Sequence, residues 1–243
     1  MDTNGTTALI TGATGRLGSA IALALAGAGC DCICHYHSNE AYADELVKKI
    51  DALGRNAIAV RADLTDPSQL ALLFETDLGQ PRILINSAAV FSKQPLSEVT
   101  FENASGVLSM NLTAPIMLSK LFVENIPTPN QGEVIGKIIN LVDVGAQRPW
   151  ANYAVYCASK AGLLAATKSM AKELAPNVCV NAIAPGIITW PKDFPDDQKS
   201  RQVNFVPLKR SGTPEEITSA ILFFIENDYI TGQTINIDGG RSI

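Results

Sequence analysis

The sequence predicts an α/β chain in which one doubly wound parallel sheet of about seven strands carries helices on both faces, with residues 1–243 forming a single domain. Three observations predict it. Short apolar runs alternate with segments of helical period along the whole chain. The first run ends in a glycine turn, GATGRLG at 12–18, that opens directly into a helix. One run, RILINSAAV at 82–90, is almost continuously apolar, as a strand covered on both faces must be.

With 243 residues, 47% hydrophobic and 18% charged, the chain can bury a large core. A net charge of -5 argues against a nucleic-acid or anionic-membrane surface and favours a small-molecule partner. No apolar run approaches the ~20 residues that span a bilayer, and no charged segment heads the N-terminus. Five cysteines, an odd number without framework spacing, read as reduced thiols in a cytoplasmic protein. Cys30, Cys32 and Cys34 alternate, but no fourth ligand follows at a metal-binding interval, so they read as small core side chains and no metal is expected.

In order, TTALIT at 6–11 is the first strand, and Gly12, Gly15 and Gly18 let a pyrophosphate approach the positive end of the helix that follows. CDCICHY at 30–36 is the second strand. No acid stands at its end to bind ribose hydroxyls, and His35, Tyr36, His37, Ser38 and Asn39 offer donors suited to a 2'-phosphate, hence NADPH. NAIAVRADL is the third strand, followed by a helix with Asp66 as N-cap and Pro67 in its first turn. Asp63 is either an adenine ligand or a turn residue. Asn86, with the small residues after it, leaves room for a cofactor ring at the end of the fourth strand.

A helical pattern at 101–126 is broken by Pro115, which cannot donate to the carbonyl of Asn111 and frees it for a water or a side chain. KIINLVD delivers Asp143 to the carboxyl end of the fifth strand. Tyr156 and Lys160 lie four apart on one helical face, where an ammonium lowers a phenol's pKa and makes it a general acid. VCVNAIAPG is the sixth strand, and residues 187–212, with Pro191, Trp190 and Phe194 and no sustained period, read as a substrate lid. TPEE at 213–216 forms a capping box before the last helix, and TGQTINIDGG supplies the seventh strand.

Together, TG-x-x-x-x-x-G at 11–18, Asp63, NSAA at 86–89, Asn111, Tyr156-x-x-x-Lys160, Pro185-Gly186 and the terminal DGG resemble the short-chain dehydrogenase/reductase superfamily over essentially the full length. The resemblance implies a Rossmann-type fold, a nicotinamide cofactor lined also by Leu17, Leu64, Ala88 and Ile188, and a homotetramer. Asn111 would then join Asp143, Tyr156 and Lys160 in catalysis.

Arg16 stands where most members carry glycine, and Asp143 where most carry serine. With HYHS at 35–38 and Phe91 after NSAAV, these residues resemble the pteridine reductase branch. That branch implies a pterin or folate substrate held by Arg16, Phe91, Asp143, Tyr153, Tyr156 and Trp190. A serine hydroxyl suits a carbonyl oxygen, whereas a pterin's amino group and ring nitrogens favour a carboxylate. An ionised Asp143 also keeps Tyr156 protonated. The alternatives are a carbonyl reductase of 3-oxoacyl or sugar type and a non-catalytic NADP-binding regulator. Asp143 argues against the first, and intact Tyr156 and Lys160 against the second.

Overall fold

The computed structural model describes residues 1–127, 132–190 and 193–243, so Pro191 of the expected lid lies outside the described residues. Seven parallel strands, in the order β3-β2-β1-β4-β5-β6-β7, form one sheet. They are β1 (Thr7–Ile10), β2 (Asp31–Tyr36), β3 (Ala57–Arg61), β4 (Ile83–Asn86), β5 (Gly136–Leu141), β6 (Val178–Pro185) and β7 (Thr234–Ile237). The helices are α1 (Arg16–Gly27), α2 (Glu40–Asp51), α3 (Phe101–Leu108), α4 (Ala114–Asn125), α5 (Ala154–Leu174), α6 (Asp196–Asn204) and α7 (Pro214–Glu226). The predicted Rossmann-type α/β fold is the observed one.

Successive strand residues point to opposite faces, and here both faces are covered. Ile10 and Ile85 pack with Ile21 of α1 and Ile221 of α7, whereas Leu9 and Leu84 pack with Leu118 and Phe122 of α4. Cys30, Cys32 and Cys34 belong to the first of these clusters, and burial raises their thiols, Cys30 to about 11 and Cys34 to about 12. They are core side chains, and among the described residues no His/Cys/Asp/Glu group is arranged to hold a metal.

Three expectations need correction. Asp66 does cap Pro67–Leu73 through Ser68 N–H, but that stretch is a 3-10 helix, whose period of three puts Leu70 and Leu73 on the same buried side. The supposedly aperiodic 187–212 contains α6, which buries no residue and so has no apolar stripe to read; a Lys199–Asp196 ion pair of 2.7 Å spans its first turn. Finally, Pro115 does not break the 101–126 helix. The chain widens into one π turn, Ser109–Thr113, and continues, because a longer hydrogen-bond step absorbs the missing donor. The resulting helix Phe101–Asn125 is long and apolar enough for a membrane span by length and mean hydropathy, though Glu102, Asn111, Lys120 and Glu124 leave it without a long uninterrupted apolar run. It packs beside β4, β5 and α5, with Leu118 and Phe122 in the core.

Candidate active site

The carboxyl ends of β1, β4, β5 and β6 converge, and the residues leaving them build the site. Gly12 has φ +65, and a Cβ there would lie 2.9 Å from Ala88 Cα; a Cβ on Gly18 would lie 2.1 Å from Gly12 O. Both positions need glycine for the turn to close. The N-cap of α1, Gly15, offers no side-chain cap, and no acid sits in the first turn, so the helix N-terminus is open to an anion. Thr11, overlooked in the sequence, accepts from Ser87 N–H at 2.9 Å and Ala88 N–H at 3.0 Å, tying the end of β4 to the turn.

His35 does not offer a donor to a 2'-phosphate. Its ring is 3% exposed: Nδ1 accepts from Gly12 N–H at 2.9 Å and Nε2 donates to Ala62 O at 3.1 Å. Burial lowers its pKa from 6.5 to about 4, so it is a neutral strut beneath the glycine turn. Tyr36 is also buried, and Asn39 is occupied in capping α2 through Tyr42 N–H. His37 and Ser38 remain exposed. Beside them stands Arg61, whose position on β3 gave no sequence signal; it pairs in register with Tyr36 and donates Nε to His37 O at 3.2 Å.

Asp63 closes a turn, its Oδ1 accepting from Thr65 N–H at 2.8 Å and Thr65 Oγ1 at 2.7 Å, which leaves Oδ2 available. Leu64 is buried against Leu70 and Leu73. Asn86 points into the sheet, donating to Asn140 Oδ1 at 2.8 Å, while Ser87 and Ala89 line the cavity.

The fifth strand and α5 meet at the chemical centre. Tyr156 donates its hydroxyl to Asp143 Oδ2 at 2.9 Å, and Asp143 Oδ1 accepts from Gly145 N–H at 2.7 Å. Lys160 is 3% exposed and donates Nζ to Leu141 O at 2.7 Å. Burial raises the Asp143 carboxyl above its ordinary range, against the pull of the Gly145 amide, the Tyr156 hydroxyl and the charges of Lys160 and Arg241. Burial, then the Asp143 charge, raises the Tyr156 phenol far above its ordinary value. The lowering expected from Lys160 is overridden, and Lys160 itself falls to about 8 because burial outweighs the attraction of Asp143.

Asn111 is fully buried and works through its side chain, which accepts from Val90 N–H at 2.8 Å and donates to Val90 O at 2.9 Å and Ser159 Oγ at 3.1 Å. It thereby fastens the Phe91 loop to the helix carrying Tyr156.

Above Tyr156 lies an aromatic group. Phe91, 60% exposed, stacks on Tyr153 at 5.0 Å and meets Tyr156 edge-on at 4.8 Å. Trp150, which carries no motif spacing and was missed, lies nearly parallel to Tyr156 at 16° and 6.4 Å. These rings face a cavity of about 760 Å³ that also receives Arg16, Leu17, Pro185, Gly186, Ile188 and Trp190. Gln202 and Arg241 reach the same cavity from α6 and from the turn after β7, and neither was anticipated.

A family profile described as enoyl-(acyl carrier protein) reductase matches residues 12–242. The chain belongs to the short-chain dehydrogenase/reductase superfamily. One relative of this superfamily member, the 3-oxoacyl-(acyl-carrier-protein) reductase of Synechocystis sp., is 36% identical over 241 residues, 96% of this chain and 95% of that protein. Among solved structures, a blue fluorescent protein from a metagenomic library in complex with NADPH aligns at TM-score 0.91 and 29% identity, with 100% of both chains covered. The alternative dihydrofolate reductase 1 of Brucella canis, complexed with NADP, aligns at TM-score 0.89 and 29% identity over 100% of this chain and 96% of that one. As a short-chain dehydrogenase/reductase, the protein is an oxidoreductase that uses a nicotinamide cofactor. The open N-terminus of α1 and the glycines whose Cβ positions are filled by backbone fit such a group.

Proposed function

We propose that this oxidoreductase is an NADPH-dependent pteridine reductase, reducing the C=N bond of a dihydropterin or dihydrofolate to the tetrahydro form. The observation that carries the reading is the hydrogen bond from the buried Tyr156 to the partly buried Asp143 at the wall of the cavity. A ketone oxygen needs neutral donors, and a partly buried carboxylate beside it repels the developing negative charge. A pterin amino group and ring nitrogens donate to that carboxylate.

The bound cofactor supplies the hydride, and the chain's residues do the rest. Asp143 accepts from the pterin and holds the Tyr156 proton in place. Tyr156 transfers its proton to the ring nitrogen next to the carbon that takes the hydride, or water does so for a more basic nitrogen. Lys160 favours the negative charge left on the Tyr156–Asp143 pair, and Asn111 acts through its side chain, which ties the Phe91 loop to the helix of Tyr156. Phe91, backed by Tyr153 stacked on it, would offer an aromatic surface to the pterin ring.

NADPH is preferred over NADH, because no acid stands at the end of β2 itself and the exposed His37, Ser38 and Arg61 present donors for a 2'-phosphate. Residues 187–212 act as a lid: Gly212 N–H bonds Ile187 O at 2.8 Å, closing the base of the loop, while Trp190 and Phe194 face the cavity.

A second reading, a carbonyl reductase, is favoured by the 36% identity to the Synechocystis enzyme. NADPH oxidation with dihydropterins against 3-oxoacyl and sugar substrates separates the two. A protein that binds NADPH but reduces none of them is instead a regulator.

A further inference from the structure

We infer that Arg241 selects a substrate bearing a carboxylate remote from the bond being reduced, an inference that rests on the pteridine reading above. The protein is acidic overall, with a net charge of -5, yet the charged residues lining its cavity are Arg16, Lys160 and Arg241 against Asp143. Arg16 opens α1 beside the glycine turn, where cofactor phosphates belong. Lys160 is buried and bonded to Leu141 O. Both oxygens of Asp143 are engaged, by Gly145 N–H and by Tyr156. Arg241 is left as the cavity cation in direct contact with no carboxylate among the described residues, although the charges of Asp143 and Asp238 act on it from farther away.

Its placement is built rather than incidental. Asp238 clamps the turn that follows β7, accepting from Gly240 N–H at 2.9 Å and Ser242 N–H at 2.7 Å, and Gly239 and Gly240 take φ of +62 and +88. Arg241, next in the chain, is aimed at α6. There Nη2 donates to Gln202 Oε1 at 2.8 Å and Nη1 to Gln202 O at 3.4 Å. These are neutral acceptors, and none of the ion pairs among the described residues involves Arg241. Burial lowers its pKa against the pull of Asp143 and Asp238, so those two charges only partly offset its dehydration and a carboxylate in direct contact would complement it.

The space available agrees. A cavity of about 760 Å³ falls toward the large end of small-molecule pockets, and its lining includes Gln202 and Arg241, which are not among the residues assigned to the cofactor. The substrate class is therefore a dihydropterin with an acidic tail, of which dihydrofolate, with its glutamate carboxylates, is the available example. The ring lies by Phe91 and the tail runs toward Arg241 and Gln202.

The test is the KM of dihydrofolate and of dihydrobiopterin, whose side chain is uncharged, for wild type, Arg241→Ala and Arg241→Lys, with NADPH affinity and Tm as controls for folding. Arg241→Ala should raise the KM for dihydrofolate about tenfold more than the KM for dihydrobiopterin, the size of one lost charge-assisted contact. Arg241→Lys should recover part of that ratio. Added salt should raise the dihydrofolate KM in wild type and much less in the alanine variant. An unchanged KM ratio, or equal losses on both pterins with a shifted pH profile, overturns the inference and leaves the pteridine reading standing; the second result would mean that Arg241 acts through Asp143 or the lid. A wild-type enzyme that reduces neither pterin overturns both.

Discussion

Tyr156 donates its hydroxyl hydrogen to Asp143 Oδ2 at 2.9 Å while Asp143 Oδ1 is held by Gly145 N–H at 2.7 Å, so the carboxylate is aimed at the phenol by the backbone. Burial and the Asp143 charge raise the Tyr156 phenol, which keeps it loaded with its proton for reduction. Tyr156→Phe should lower kcat for pterin reduction by ~10² to 10⁴ and leave NADPH affinity nearly intact. A loss of less than about tenfold would assign the proton to water.

Lys160 adds a pH limb. With burial lowering its ammonium to about 8, kcat/KM should fall with a slope of one as pH rises past that value, before the phenol itself titrates. The sign follows from the charge: below the limb Lys160 is cationic and supports the negative Tyr156–Asp143 pair, and above it that support is gone. A profile flat to pH 10 contradicts the assignment.

His35 makes stability pH-dependent from beneath the glycine turn. Its folded pKa of about 4 lies below its ordinary 6.5, so the unfolded chain binds the proton more readily between those values. Stability from this group is full above 6.5 and declines as pH falls toward 4, by roughly 3 kcal/mol. His35→Gln should flatten that limb in urea titrations. It should also cost ~1–3 kcal/mol at neutral pH, because Gly12 N–H and Ala62 O lose their partner. An unchanged limb would mean that the ring is not the titrating group.

Much of this architecture was legible in the chain, and the gaps have physical causes. Both-face burial writes strands as apolar runs, which is why β4, β5 and β6 were placed closely. The i, i+4 spacing put Tyr156 and Lys160 on one face. His35 was misjudged because residue type announces a donor but not which side of the strand its ring enters. The helix α6 went unread because it buries nothing, and the π turn because Pro115 signals a lost hydrogen bond without saying how the chain will absorb it. Trp150, Gln202 and Arg241 come from separate loops, and only the closed fold brings them to one cavity.

The lid reading gives a forecast for residues 187–212. Backbone amides of α6 should exchange faster in the free protein than with NADPH and a pterin analogue bound, because Trp190 and Phe194 then gain an apolar surface to cover. Equal exchange with and without ligands removes the lid.

Assembly is testable by mass. Phe101 is 90% exposed and Leu96 79%, large apolar surfaces that association would cover. Light scattering should give a homotetramer, and a monomer mass at micromolar concentration would reject it.

The substrate claim turns on one carboxylate, and a single paired assay addresses it: NADPH oxidation by wild type and Asp143→Ser with a dihydropterin and with a 3-oxoacyl thioester. The carboxylate faces substrate and Tyr156 rather than the dinucleotide, so Asp143→Ser should weaken pterin turnover by about a hundredfold while NADPH affinity stays nearly constant. Wild type should reduce the dihydropterin and ignore the thioester. A wild-type enzyme that reduces the thioester but no dihydropterin, with thioester activity rising in Asp143→Ser, would contradict the account.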